Sequence, residues 1–360
     1  MAEGLRPDFN LLAEQLTRLA ALPATELTLA VLLEMLLPLS TLWSLSRLTP
    51  TFEDLALKVN REGRMQSQRY FAGFMLCMLI LLVISLLTAL LTALSYGDGI
   101  VSVLLLLFLL RLNPVQRLIT SLSAALDRDE KKSARRILQP FVLRQTARLS
   151  AMGLAKAGCE SAVLRLFGSW FAVMVWFLLL GNLGAVLMAL SAVLSEAFNV
   201  KRQRYATFGL FAARLNQALL IPPALALTVT MLVSRHPLAA IRAGLEGFRS
   251  YPMGISGYVL ALMGKSLGIS LGGPRYYEDV LCRYPRLGGE RDPQSHDLLR
   301  VLRRLRINGV LFLGLAIAGN LCLSEELPAI APKEPESVTV PAGERPDPLE
   351  ELLPQGGTLI

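Results

Sequence analysis

The chain has 360 residues, 53% of them hydrophobic, with a mean hydropathy of +0.49 and a formal net charge of +8. Soluble globular domains hold roughly 45–50% apolar residues, so this composition is that of a membrane protein. The basic residues lie between apolar runs and not on one face interleaved with aromatics, which excludes a nucleic-acid surface and fits the positive-inside rule. Cys77, Cys159, Cys282 and Cys322 are far apart with no CxxC, so neither a disulfide framework nor a zinc site is indicated.

Residues 1–26 form a polar N-terminal segment with no sign of a cleaved signal. ELTLAVLLEMLLPLSTLWSLS (26–46) has the roughly 20 residues needed to cross a bilayer core. Glu34 lies inside it, so it either faces protein or a wet cavity, or sits near enough to an interface to stay solvated. Residues 47–69 are rich in arginine and read as a cytoplasmic loop. YFAGFMLCMLILLVISLLTALLTAL (70–94) is the clearest span, SYGDG (95–99) a tight turn, and IVSVLLLLFLLRL (100–112) the return. Snorkelling to the interface accounts for Arg111 at its end. Membrane segments therefore occupy 27–112.

Residues 113–161 are charged and periodic, with Leu118, Leu122 and Leu126 near helical spacing, and read as a cytoplasmic amphipathic region. GCESAVLRLFGSWFAVMVWFLLLG (158–181) then carries Glu160 and Arg165 into an apolar run that turns at GNLG (181–184) and returns to Phe198. The apolar stretch 215–233 is interrupted by Pro222-Pro223 and has basic residues on both sides, which predicts a re-entrant or broken segment. Residues 254–273 read as a membrane-associated helix and 308–323 as a last span, so 162–325 holds membrane segments separated by basic loops. A Pro- and acid-rich tail, 326–360, is expected to be disordered. The fold class that follows is all-α: a polytopic integral membrane protein with about five to seven segments, one of them re-entrant or broken, and cytoplasmic amphipathic helices.

The familiar signatures of catalysis, GxGxxG, the P-loop, HExxH and GxSxG, do not occur. His236 and His296 stand in separate polar contexts, so no catalytic residue is assigned and no metal site or cofactor is evident. Polar residues do gather at the edges of apolar runs: Arg144, Glu160, Arg165, Arg204, Tyr205, Arg214, Asn216 and Gln217. In a membrane such residues mark a functional site by default. The alternative is a Glu160–Arg165 or Glu196–arginine pair that only neutralises charge. Gly264, Gly268, Gly272 and Gly273 serve either helix packing or a close backbone approach to a phosphate.

The order of these residues resembles a known family. RQTARLSAMGLAKAGCESAVLRLFGSWFAVMVWFLLLG (144–181) is similar, without a gap, to the RDTxxLDExxIxxAxVESxAENxxDGxVAPLFW segment of adenosylcobinamide-phosphate synthases, the CobD/CbiB family. Arg144, Thr146, Leu149, Ala157, Glu160, Ser161 and Trp176 fall on that pattern. RYATFGLFAARLNQALLIPPAL (204–225) resembles the family's RYxxFGxxAARLDDxxNxxPARL, and SLGISLGGPRYY (266–277) its LGVRLGGxxxY. The resemblance runs from about residue 27 to 320.

It implies a multi-pass protein of the bacterial inner membrane, in contact with lipid, that joins aminopropanol or its phosphate to adenosylcobyric acid through an amide bond. A corrinoid or another anionic small molecule is then the expected ligand, held by Arg144, Glu160, Arg204, Tyr205, Arg214 and the Gly272-Gly273 turn. The chain departs from the family where that chemistry needs acids and amides. Gln145, Ala151, Asn216 and Gln217 stand in place of acids, Leu164 and Arg165 in place of the glutamate and asparagine of AEN, and Gly168 in place of an aspartate. Two functions stay open: a synthase-like protein with altered or no amide-forming activity, or a non-catalytic membrane scaffold or regulator resembling the AmpE type.

Overall fold

The apolar runs become the long helices of the chain, whose computed structural model describes residues 23–37, 45–61, 63–95, 99–277 and 280–326. The expected polar segment over 1–22 and the tail over 327–360 lie outside the described residues. Helix α1 (Pro23–Leu36) buries Leu27, Ala30, Val31 and also Glu34. Both Glu34 oxygens are satisfied there, Oε1 by the Leu112 N–H at 2.7 Å and Oε2 by Trp170 Nε1–H at 3.1 Å. Of the two readings of Glu34, the one that faces protein holds.

After the short α2 (Thr49–Val59), α3 (Gln66–Leu94) runs for 29 residues, about 44 Å at 1.5 Å per residue. Its outer surface is apolar along most of its length, with Phe71, Leu82 and Leu86 exposed, a surface that hydrocarbon solvates and water does not. Its inner side is seated through Gly73, whose Cα lies directly against the Phe208 carbonyl. α4 (Gly99–Leu109) has 11 residues, about 16 Å, roughly half a bilayer core. The chain breaks at Leu110 and Arg111 before α5 (Leu112–Asp127), which buries Val115, Leu118, Ile119 and Leu122 and packs against α6 (Lys131–Leu138).

Ser150 starts α7 (Ala151–Leu166) as an N-cap, its side chain accepting the Gly153 N–H at 3.2 Å. A π turn over Phe167–Phe171 leads into α8 (Ala172–Ala197), inside which Leu180 and Gly181 leave helical geometry, Gly181 at φ +61°. Arg165 and Glu196 would stand about 46 Å apart on one straight helix. Their side chains are 2.8 Å apart, so the chain folds back at Leu180-Gly181 into two antiparallel arms. Glycine is needed at the reversal because side-chain-bearing residues avoid that left-handed conformation.

α9 (Leu210–Leu219) and α10 (Ile221–Met231) are separated at Leu220, just ahead of Pro222-Pro223. The prolines fall in the first turn of α10, where a missing N–H costs nothing. The Leu219 carbonyl at the break is satisfied by Trp176 Nε1–H at 2.7 Å. The interruption expected in 215–233 is therefore a break closed by a protein donor.

α11 (Pro237–Ser250) and α12 (Gly254–Leu267) pack as a hairpin through Gly247 and Gly257. Gly268, at φ +71°, ends α12 as a left-handed cap. The following segment holds the only β-strands among the described residues. β1 (Ser270–Gly272) pairs antiparallel with β4 (Arg286–Gly288), enclosing the ladder of β2 (Arg275–Tyr277) with β3 (Val280–Cys282).

α13 (Ser295–Glu326) closes the described chain. The described chain up to Leu321 forms one compact unit. Among the described residues, four stretches are long and apolar enough to cross a membrane: Gln66–Leu94, Gly99–Asp127, Ala151–Ala197 and Leu210–Met231. The reversal at Gly181 makes the third of these two arms.

The start of α13 carries a pH-dependent clamp. Asp297 is buried, and its carboxylate accepts from Arg291 at 2.8 Å, Arg300 at 2.7 Å and the Gln294 N–H at 2.9 Å. Burial pushes its pKa up, but these donors outweigh that and hold it below the usual aspartate range. A depressed folded pKa gives stability that is present at neutral pH and lost as pH falls through the folded value. Asp297→Asn is expected to lower the melting temperature of detergent-solubilised protein at pH 7, with the deficit narrowing as the pH falls below the usual aspartate range and through the depressed folded value.

Candidate functional site

α7 is packed almost all round, burying Ala157, Cys159, Ala162 and Val163, and its Glu160 is only 3% exposed. A lone carboxylate in that position is strongly disfavoured, and three donors converge on it. Arg144 Nη2 donates to Oε2 at 2.9 Å, Arg275 Nη1 lies 3.1 Å from the same oxygen, and the Gly272 N–H donates to Oε1 at 2.7 Å. Gly272 and Gly273 both have positive φ, +76° and +92°, and the tight turn they form aims that N–H inward and starts β2 at Arg275.

The Arg275 guanidinium also lies over the Tyr284 ring, 4.7 Å from its centroid, and Tyr251 stacks on Tyr284 at 5.0 Å. Burial works against the Arg275 cation, but the charge of Glu160 outweighs it and holds the pKa above the usual arginine value.

A second ion cluster lies along the same cavity. Arg165 Nη2 reaches Glu196 Oε1 at 2.8 Å, and Arg111 Nη1 lies 3.7 Å from its other oxygen. Arg165 also donates to the Phe141 carbonyl at 3.3 Å and stacks over the Phe141 ring. Arg202 pairs with Glu53 at 3.0 Å, and Lys201 sits over the Tyr277 ring. The π turn after Arg165 turns Phe167, Gly168 and Ser169 toward this space, a local distortion often found beside functional sites.

The space enclosed is a cavity of about 460 Å³. Arg111, Arg144, Arg165, Lys201, Arg202 and Arg275 line it against Glu53, Glu160 and Glu196, six cations to three carboxylates. Ser161, Ser195, Asn199, Asn216, Gln217 and Ser256 supply neutral polar wall, and Gln217 donates to Ser256 at 3.1 Å. A cation-rich, partly desolvated cavity favours an anionic ligand, because field lines are focused where the walls are of low dielectric. Among the described residues no group of three or more histidine, cysteine or carboxylate side chains converges to hold a metal ion.

The structure brings Arg144, Glu160, Gly272 and Gly273 together, the glycines as backbone around Glu160. Three other candidates read from sequence do not line the cavity. Arg204 is exposed, and its carbonyl is occupied by Asn60 and Arg69. Tyr205 is buried among Phe198 and Phe208, where burial pushes its pKa up. Arg214 lies on the exposed side of α9, whose inner side presents Asn216 and Gln217 to the cavity. Arg165 pairs with Glu196 and not with Glu160. Arg111, read as a snorkelling end charge, lines the cavity. Sequence reasoning missed Arg275, Lys201 and Arg202 as site residues; Arg275 stands three positions past the Gly272-Gly273 signature, and that adjacency was the available signal.

A family model described as CobD/CbiB protein matches residues 27–305. A protein of Chromobacterium violaceum named cobalamin biosynthesis protein CobD is 31% identical over 199 residues, 55% of this chain and 64% of that protein. A protein of the same name from Stutzerimonas stutzeri is 30% identical over 224 residues, covering 62% of this chain and 74% of the relative. One from Mycobacterium tuberculosis is 29% identical over 191 residues, covering 52% and 61%. The match thus spans less than two thirds of the first and third of these relatives. No solved structure matches the chain.

Proposed function

We propose, from the premise that the chain belongs to the CobD/CbiB family of cobalamin biosynthesis proteins, that it binds an anionic substrate of the family's amide-forming step in the cavity around Glu160. The substrate class is an aminopropanol phosphate or the acidic side chain of a corrinoid. The observation that carries the reading is the excess of six cations over three carboxylates on the cavity wall. Amide formation needs the carboxylate first activated by a co-substrate such as a nucleoside triphosphate, so that a phosphate leaves as the amine attacks; the cations would hold the phosphate or carboxylate and steady the negative charge on the tetrahedral intermediate. Its place is the bacterial inner membrane.

A second reading, a ligand-binding protein that no longer forms the amide, is favoured by a different observation. Each cavity carboxylate is already committed to arginine: Glu53 to Arg202, Glu160 to Arg144 and Arg275, and Glu196 to Arg165 and Arg111. A carboxylate so engaged is a poor general base.

Complementation separates the two. The full chain, expressed in a strain lacking its own synthase and fed cobyric acid, is expected to restore cobalamin-dependent growth, and Arg165→Glu, which sets a like charge beside Glu196, to reduce it. No growth despite verified membrane insertion would sink the synthase reading. Calorimetric binding of a corrinoid acid without growth supports the second.

A further inference from the structure

On the side of α13 next to α5 lies a groove that plays no part in the cavity. The two helices run antiparallel there: Ser123 Oγ donates to the Ser295 carbonyl at 3.2 Å, and Arg306 Nη2 donates to Gln116 Oε1. The groove encloses about 560 Å³ and follows one face of α13 from Leu299 to Leu311, about 18 Å along the axis. Leu299, Ile307 and Val310 on this face are 45%, 41% and 58% exposed.

The same helix changes character within the groove. Arg300, Arg303, Arg304 and Arg306 crowd its first part, and no Asp, Glu, Lys, Arg or His follows from Ile307 to Ser324. Arginines bordering an uncharged helical stretch belong at the headgroup level, with the apolar part in hydrocarbon. Arg303 is exposed, and both it and Arg306 line the groove at this boundary. Arg306 is held toward α5 by Gln116, and its Nε–H is buried with no hydrogen-bond partner. The groove thus offers cationic donors at one level and an apolar channel leading away from them, with no carboxylate among the residues that line it.

We propose that this groove binds one anionic phospholipid, its phosphate at Arg303 and Arg306 and an acyl chain along Ile307 and Val310. Past the arginines the groove presents only the apolar side chains of Ile307, Val310 and Leu311 to the start of an acyl chain, and the charge matches a headgroup of net negative charge and not a zwitterionic one. Each arginine near an anionic lipid surface contributes about fivefold in affinity, so the pair contributes roughly 25-fold.

The test uses full-length protein in nanodiscs of phosphatidylcholine with a titrated fraction of phosphatidylglycerol, with retained lipid read by native mass spectrometry. The expected result is preferential retention of one phosphatidylglycerol, lowered about fivefold by Arg303→Gln and abolished by adding Arg306→Gln. Val310→Trp, which fills the channel, is expected to reduce retention of either lipid. Arg303 is exposed, so Arg303→Gln stays informative if the Arg306 variant fails to fold. Unchanged retention in Arg303→Gln, equal retention of phosphatidylcholine, or a dimer that Val310→Trp dissociates would each overturn the assignment, the last in favour of a second copy of the chain.

Discussion

Glu160→Gln is expected to destabilise the protein by about 3–5 kcal/mol, the loss typical when one partner of a buried ion pair is removed. The carboxylate holds two guanidinium groups that are nearly as buried as it is, with side chains 10% and 7% exposed for Arg144 and Arg275. Glutamine keeps the shape and can still accept the Gly272 N–H, but it removes the charge that offsets both cations. Glu196→Gln, by contrast, removes a carboxylate that is 35% exposed, where water screens the loss and the effect is expected to stay nearer that of a surface pair, about 0–1 kcal/mol. Chemical or thermal unfolding of the two variants in one detergent measures the contrast. Equal losses would show that Glu160 is not the electrostatic centre described. The double variant Glu160→Gln/Arg144→Gln is expected to lose less than the sum of its singles, since the two groups share one interaction.

Gly73→Ala is expected to destabilise the protein at the upper end of the range for overpacking, about 3 kcal/mol. The added Cβ would fall against the Phe208 carbonyl group, 2.9 Å from its carbon and 3.3 Å from Phe208 Cα, and backbone cannot rotate away as a side chain can. The local seat is built on this approach: Phe74 packs edge-on to Phe211 at 4.7 Å, and Arg69 and Asn60 bond the Arg204 carbonyl. Gly314→Ala is the control, because nothing lies within 4 Å of its Cβ position in α13. Alanine is the better helix former by about 1 kcal/mol, so that substitution is expected to be neutral or stabilising. Melting temperatures that fall for Gly73→Ala and hold for Gly314→Ala support the seat; a Gly73→Ala that melts with the parent chain would refute it.

Much of the helical architecture was legible because its signals are local. An apolar run of bilayer length, the GNLG turn and the Pro222-Pro223 interruption each act on their own stretch of backbone. Arg144 and Glu160 were legible for a similar reason, since they lie a few turns apart within one motif. Arg111, Lys201 and Arg202 were not, because an arginine at a helix end reads the same whether it meets lipid headgroups or a cavity wall. Arg204 and Arg214 show the converse: a family-like string placed them beside a site, and the helix rotation turned them away from it.

By itself, the sequence determined that this is a helical membrane protein, where its apolar segments lie, and to which family it belongs, because length, hydropathy and motif order are properties of contiguous residues. The tertiary structure alone decided which charges meet. The reversal at Leu180-Gly181 brings Glu196 to Arg165 and Arg111, and the Gly272-Gly273 turn delivers Arg275 and a backbone donor to Glu160. Ion pairing depends on distance through space, and residues far apart along a chain acquire that distance only when the chain has folded back on itself.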